Sequence, residues 1–401
     1  MPLRRLQTSQ GWTASVLVAS AAQRSGTLLS TLYFVRYVGN VQFAEIVPLM
    51  PIAPLVNAMV LVGQDQYVLR SLLQKLETRL GVRSTIKVQA VVIAATLLLG
   101  TPIAVGVALA FHLPFYCAAM SAGGGALLSL AQATSIAQIR TVRSGPRYVS
   151  CYAVFGVTAV VTRLVGHHLG ISGPATWALG DALSGLLIVL VSLMVSPPRR
   201  HGGLDYRTRD GLGYGLPLLP NSVAQQILGN GDRWVFAGRV PAAQLAMYVS
   251  AYQVANIVNI MLSEVNRSRL HHYVLDRDVG RDDVERAERR LLLRIVAVSS
   301  LPVALASAVL SGLHFVSTFF IALGICFSFT SIAYYLPAAN LFSMSMGRTR
   351  ALAIASVAGA VANLIINFAL VHSIGIWSGL IANFIGYALM YLMLERQKRN
   401  L

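Results

Sequence analysis

Charge is what this sequence has least of. Only 12% of its 401 residues are Asp, Glu, Lys or Arg, about half the share carried by soluble domains. Acidic side chains are the scarcer sign, 15 against 32 basic ones. So thin a polar coat excludes a soluble globular enzyme and a disordered chain. Cysteine is almost missing. Cys117, Cys151 and Cys326 lie in apolar stretches, with no Cys-x-x-Cys or Cys/His cluster, which excludes a disulfide scaffold and a cysteine metal site. No Gly-x-x-x-x-Gly-Lys phosphate loop is present, so no ATPase is built in. No Ser/His/Asp or paired-carboxylate arrangement stands on an outer loop, so no catalytic residues and no cofactor are read.

What fills the chain is apolar: 55% of residues are hydrophobic and the mean hydropathy is +0.63. A membrane-crossing helix takes about 20 apolar residues, and twelve segments qualify as spans. They are Trp12–Val35, Val41–Gly63, Val88–Phe111, Leu113–Ile136, Tyr148–Leu169, Pro174–Ser196, Gly213–Gly231, Ala242–Leu262, Leu291–Leu313, Phe315–Met344, Ala351–His372 and Gly375–Leu394. The third and fourth are separated only around His112. Prolines inside spans (Pro48, Pro51, Pro54, Pro217, Pro220, Pro337) are tolerated in membranes and permit kinks. Arg4, Arg5 and the small-residue run Ala19-Ser20-Ala21-Ala22 have the grammar of a signal peptide. That reading is rejected, because the apolar segment continues to Val35 and its removal would invert the charge distribution described next.

The formal charge is +17, which taken alone points to nucleic acid. Placement decides otherwise. With the N-terminus and every second connection taken as one side, 27 of the 32 cations fall there and three (Arg36, Arg233, Arg239) on the other; Arg24 and Arg163 lie inside spans. This is a strong positive-inside signal. Both termini are expected in the cytoplasm, the basic face meets anionic membrane lipid, and no nucleic acid is called for. Two longer cytoplasmic segments remain. Gln64–Lys87 has apolar residues at helical spacing (Val68, Leu72, Leu73, Leu76, Leu80) and is expected to lie along the headgroups. Ser263–Arg290 mixes basic with seven acidic residues and is expected to be a solvated helix.

The chain also repeats itself. At an offset of 202 positions, twelve of the 40 residues from Ser20 to Met59 recur without a gap, among them the polar matches Gln23/Gln225, Gln42/Gln244 and Asn57/Asn259. Spans one and two thus correspond to spans seven and eight. With six spans per half, the halves share one orientation, as in transporters built from parallel repeats. The expected fold is an all-α polytopic membrane protein of about twelve transmembrane helices. Two six-helix lobes, 1–200 and 201–401, would surround a central cavity.

An ionisable residue inside a span is expensive and therefore a functional candidate. Arg24 lies about twelve residues into the first span, roughly 18 Å deep and near mid-bilayer, with no carboxylate at comparable depth in the sequence. Arg163 and Asp181 fall roughly 10 Å below the outer surface on consecutive antiparallel helices. They are read either as an intra-lobe ion pair or as groups handling substrate or protons. Asp232 and Arg233, and likewise Arg36 and Glu45, are gate contacts or solvated rim charges. Asn57, Asn256 and Asn259 are read as interhelical glue, and Gln23, Gln225 and Gln226 as either glue or cavity lining. His167, His168, His271 and His272 have no ligand partners at metal spacing, and no metal is read.

Three stretches carry a family resemblance. These are Tyr37-Val-Gly-Asn-Val-Gln-Phe-Ala44; Leu61-Val-Gly-Gln-Asp-Gln-Tyr-Val-Leu-Arg70; and Gly215-Leu-Pro-Leu-Leu-Pro220 with Asp232-Arg233 and Ala246-Met-Tyr-Val-Ser-Ala-Tyr252. In them the chain resembles the oligosaccharidyl-lipid/polysaccharide flippases of the multidrug/oligosaccharidyl-lipid/polysaccharide exporter superfamily. The resemblance implies alternating access that moves a polyprenyl-diphosphate-linked glycan across a bacterial inner membrane, with Arg24 facing the diphosphate. Arg binds phosphate bidentately, which agrees with the reading of Arg24 from depth alone. The polar set Arg24, Gln23, Gln225, Gln226, Asn57 and Asn259 would line the substrate path. Glycan polymerases or glycosyltransferases are the protein partners implied, and a monomer is expected. Ala44 departs from the family, where Gly is usual. Two other readings stand beside this one. The first is an ion-coupled exporter of drugs or small solutes from the same superfamily. The second is a polytopic glycan polymerase or ligase, for which the chain lacks a sizeable outer loop.

Overall fold

The computed structural model describes residues 9–75, 77–200, 202–268, 281–312, 314–342 and 348–400. Among them run twelve long helical rods. The first six are α1 (Ser9–Tyr33, prolonged by the π-turn Phe34–Val38), α2 (Asn40–Leu61), α3 (Val82–Ala110), α4 (Phe115–Ala131, continued to Thr141), α5 (Gly145–His168) and α6 (Gly173–Val195). Next come α7 (Thr208–Gly215 through a 3-10 turn into Leu219–Phe236) and α8 (Ala242–Ser268). The last four are α9 (Arg281–Ser311), α10 (Phe315–Asn340), α11 (Thr349–Ile374) and α12 (Trp377–Arg399). Nine of the helices are long and apolar enough to cross a membrane, α1, α4 and α7 being the others. The expected split near His112 is present. His112 takes a left-handed φ of 53° between α3 and α4.

Several rods outrun their hydropathy. α3 begins at Val82 rather than Val88, α7 at Thr208 rather than Gly213, and α12 continues to Arg399. Helical hydrogen bonding does not stop where the apolar run does; polar residues simply extend the helix into the headgroup zone. Large side chains such as Leu97, Leu98 and Leu109 on α3 and Val298 and Val309 on α9 are more than 60% exposed. That is the signature of rods whose outer faces meet lipid instead of water. Cys117, Cys151 and Cys326 are free and buried.

The chain separates into two compact units. One holds Met1–Ser30 and Pro48–Val223, the other Thr31–Val47 and Ala224–Leu401. In the first, Val16 and Ala19 of α1 pack with Leu128 and Ile136 of α4, Tyr148 and Cys151 of α5 and Ile188 of α6.

The segment after α6 is strapped to this first unit. Isolated parallel bridges join Leu80 to Leu204 and Gly81 to Arg199. Arg199 N–H donates to Leu80 O (2.9 Å) and Leu204 N–H to Arg79 O (3.0 Å). Tyr206 is fully buried; its hydroxyl donates to Gln64 Oε1 (2.6 Å), and burial pushes its pKa up to about 12. At Gly215 a Cβ would stand 1.7 Å from Val62 O, so only glycine lets α7 approach the end of α2.

Two cytoplasmic expectations are corrected. The segment from Gln64 is helical only to Gln74, and Val68 and Leu72 are wholly buried against the protein rather than laid on lipid. Asp65 also lies 3.6 Å from Arg140 at the end of α4. In Ser263–Arg290, residues 269–280, with His271 and His272, lie outside the described residues. The flanks are solvated only in part: Asp283 and Arg286 are more than 60% exposed, but Glu264, Glu285 and Glu288 are all below 9% exposed, and Lys398 Nζ sits 2.8 Å from Glu285. Glu285 can bury because Lys398 of α12 supplies the counter-charge and hydrogen bond that water would have supplied.

Candidate functional site

In the first unit α1 carries Arg24. Val16, Ala19, Gly26 and Ser30 mark the buried side of this helix; Ala14, Val18, Ala21 and Arg24 are exposed. Gln23, a hundred degrees round the helix, is half-buried. Arg163 and Asp181 come together across α5 and α6, Nη2 to Oδ1 at 2.5 Å. Arg163 is 2% exposed and the Asp181 side chain 12%. The guanidinium also donates to Gly26 O and Ser30 Oγ of α1, both at 3.4 Å, and stacks 3.8 Å from the centroid of the Trp177 ring. Ser121 of α4 donates to the second carboxylate oxygen at 2.9 Å. Gly180 makes room for this, since a Cβ there would meet Arg163 Nε at 2.7 Å. One ion pair therefore ties four helices of the unit together. Its stability rests on completeness, because removing either partner strands a buried charge, at about 3–5 kcal/mol.

In the second unit Asp232 and Arg233 are 1% and 3% exposed. The rim-charge alternative is thereby corrected: α7 continues to Phe236 and carries both residues into the packed interior. Tyr248 of α8 donates to Asp232 Oδ2, the Arg233 backbone N–H donates to Oδ1 at 2.8 Å, and the Arg233 guanidinium lies 5.3 Å from the Tyr252 ring. Across α11 and α12, Asn363 Nδ2 donates to Asn383 Oδ1 (2.9 Å) and Ser378 Oγ to Asn367 Oδ1 (2.6 Å). Asn363 Oδ1 and Asn367 Nδ2 are buried without a hydrogen-bond partner. These two sit one turn apart on the same helix face. Such unsatisfied amide atoms leave hydrogen-bonding capacity for a small polar guest.

The amides among the remaining predicted residues are hydrogen-bonded within their units. The two oxygens of Asn57 accept from Ser129 of α4 at 3.1 and 2.7 Å. Asn259 donates to Asn256 on its own helix (3.0 Å). Gln225 accepts from Tyr387 (3.0 Å) and Gln226 from Asn230 (3.1 Å). Arg36 and Glu45 are exposed, and no ion pair joins them. His167 and His168 stand side by side at the end of α5. No group of three metal-ligating side chains occurs among the described residues.

Reading the sequence had missed Ser121, Trp177 and Ser30 around the ion pair, and Tyr248, Asn363, Asn367, Ser378 and Asn383 in the second unit. The asparagines left a trace, as amides in otherwise apolar spans. Trp177 and Tyr248 did not, because an aromatic in a span is ordinarily core.

Among the described residues, twelve long helices, nine of them long and apolar enough to cross a membrane, define an all-α polytopic membrane protein. No family model matches the sequence, and no curated protein matches it. Solved structures do. A structure of MATE in complex with MaL6 superposes with a TM-score of 0.66 at 14% identity, covering 99% of each chain. One of MATE in the bent conformation gives 0.65 at 13%, covering 99% of this chain and 98% of the other. The outward-facing conformation of a multidrug resistance MATE family transporter of the MOP superfamily gives 0.64 at 14%, again over 99% of each chain. The chain thus has the MATE-like fold along its whole length.

Proposed function

We propose that this protein is a flippase. By alternating access it carries a polyprenyl-diphosphate-linked oligosaccharide from the cytoplasmic to the outer leaflet of a bacterial inner membrane, for surface polysaccharide synthesis. The observation that supports this most directly is the exposure of a cation, Arg24, at mid-span on α1, while the acids at span depth are held inside their units. At span depth, Asp181 is held by Arg163 and Ser121, and Asp232 by Tyr248 and the Arg233 backbone. Arg24 is exposed on α1. A cation so placed suits an anionic cargo, and a guanidinium matches a diphosphate in shape and charge. The glycan would travel beside Gln23 and the amides of the repeat while the prenyl tail stays in lipid. Rocking of the lobes would draw on an ion gradient, the membrane potential or substrate supply. On this reading the 27 basic residues hold both termini in the cytoplasm.

The test is complementation of a flippase-deficient strain, together with translocation of a labelled polyprenyl-diphosphate glycan in vesicles. Arg24→Ala is expected to lower output about tenfold or more, the worth of one charge-assisted contact of roughly 1.5 kcal/mol. Arg24→Lys should restore part of it. Full output from both variants would rule out the role given to Arg24.

The second reading, an ion-coupled exporter of drugs or small solutes, is favoured by the description of a neighbour of the same fold as a multidrug resistance transporter. Vesicle uptake of a cationic dye that is abolished by Asp232→Asn and indifferent to Arg24→Ala would select it over the flippase.

A further inference from the structure

The second unit has a crevice that neither reading uses. It has a volume of about 950 Å³ and lies among the first turn of α8, the first half of α10 and the α11–α12 turn, at the upper end of the range for small-molecule sites. Its wall along α10 runs from Val316 to Phe327. Eleven residues at 1.5 Å each make about 16 Å, close to half of the roughly 30 Å hydrocarbon core. The crevice is therefore one leaflet deep, in the leaflet opposite the basic loops.

Its polarity is graded along that depth. The end at the helix termini carries Gln244, Ser317 and Ser373; beyond it the lining is aromatic and aliphatic. Trp377, 43% exposed at the start of α12, stands at the level where tryptophan marks a membrane interface. Phe320 and Phe327 are 53% and 65% exposed, so the crevice opens sideways to lipid. Phe327 stacks on Phe384 with ring centroids 5.8 Å apart and closes the deep end. Gly324 also lines the crevice, and a Cβ there would meet Leu380 Cδ1 at 2.9 Å, so α10 and α12 approach closely at this point.

We propose that this crevice is the seat of a phospholipid, with one acyl chain lying along Ser317–Phe327 and the ester region beside Gln244 and Ser317. The lining decides between lipids. No Lys or Arg belongs to it among the described residues, so it offers no counter-charge to the two phosphates of a prenyl diphosphate, a lipid that also lacks ester carbonyls for Gln244 and Ser317. Gln244 and Ser317 are neutral donors, and glycerol-ester carbonyls are neutral acceptors of matching number. The seat is independent of what the protein transports, and a negative result for the flippase leaves it standing.

The test uses the full-length protein in phosphatidylethanolamine/phosphatidylglycerol vesicles. These are doped with a phospholipid that carries a photoreactive diazirine midway along one chain, and adducts are mapped by peptide mass spectrometry. Adducts on Val316–Phe327 and Trp377–Leu380 should be several-fold denser than on Leu97, Leu98 and Leu109 of α3. Leu323→Trp, which fills the crevice, should bring them down to the α3 level while labelling of α3 stays unchanged, an internal check that the variant has folded. Ser317→Ala adds no bulk and should weaken only the label from a probe whose diazirine sits next to the ester. Adducts spread evenly over all lipid-facing helices would overturn the proposal. So would a crevice label displaced by excess polyprenyl diphosphate and not by unlabelled phospholipid.

Discussion

The last two helices of each lobe solve one problem with different chemistry. In the first lobe α5 and α6 are joined by Arg163 and Asp181, 18 positions apart. In the second, α11 and α12 are joined by Asn363 and Asn383, 20 positions apart and so at a similar depth in the hairpin. One fastening is charged, the other amide. At span depth the second unit carries its buried charge instead on α7, as Asp232 and Arg233, where α1 has Ser30 and Thr31 at the offset of the repeat. At span depth both units thus bury an acid and an arginine, on α5 and α6 in the first as Arg163 and Asp181, and on α7 in the second as Asp232 and Arg233.

Three substitutions would sharpen or break this comparison. The largest effect is expected from Asp181→Ala, which strands the Arg163 guanidinium. Thermal unfolding in detergent should register a loss of about 3–5 kcal/mol, and the pair Arg163→Met with Asp181→Leu should recover most of it. Asn383→Ala ranks next. Losing a neutral hydrogen bond and leaving Asn363 without its acceptor should cost about 1–3 kcal/mol in the same assay. A loss as large as that of Asp181→Ala would erase the distinction between the two fastenings. Smallest is Arg36→Ala combined with Glu45→Ala. Both side chains are exposed and unpaired with each other, and the unfolding midpoint should stay where it is. A drop there would show that these charges meet in some working state.

The rods and their number could be read from the sequence because a span averages apolarity over some twenty residues, and local exceptions wash out. The repeat was readable for a similar reason, as amides such as Gln23/Gln225 stand out against an apolar background. Arg163 and Asp181 could be anticipated from depth alone. What could not be read is what needs a partner distant in sequence. The Leu80/Leu204 and Gly81/Arg199 bridges are too short to leave a period of two. Burial of Val68 and Leu72 needs the end of α4, and a stripe facing protein is indistinguishable in sequence from one facing headgroups. Asp232 looked like a rim charge because nothing local says that Tyr248, a turn and a half into the next helix, will reach it.

The strapped segment after α6 bears on how the protein is made. The first unit includes residues up to Val223, and its Gly81 edge is closed by Arg199 and Leu204. A ribosome that has delivered six spans has therefore not delivered a finished lobe. At about 5–20 residues per second, α1–α6 are made a second or more before the last piece of their unit, the opening turns of α7. A nascent chain arrested before Tyr206 should remain accessible at Gln64 to a chaperone or protease, and one released past Val223 should not.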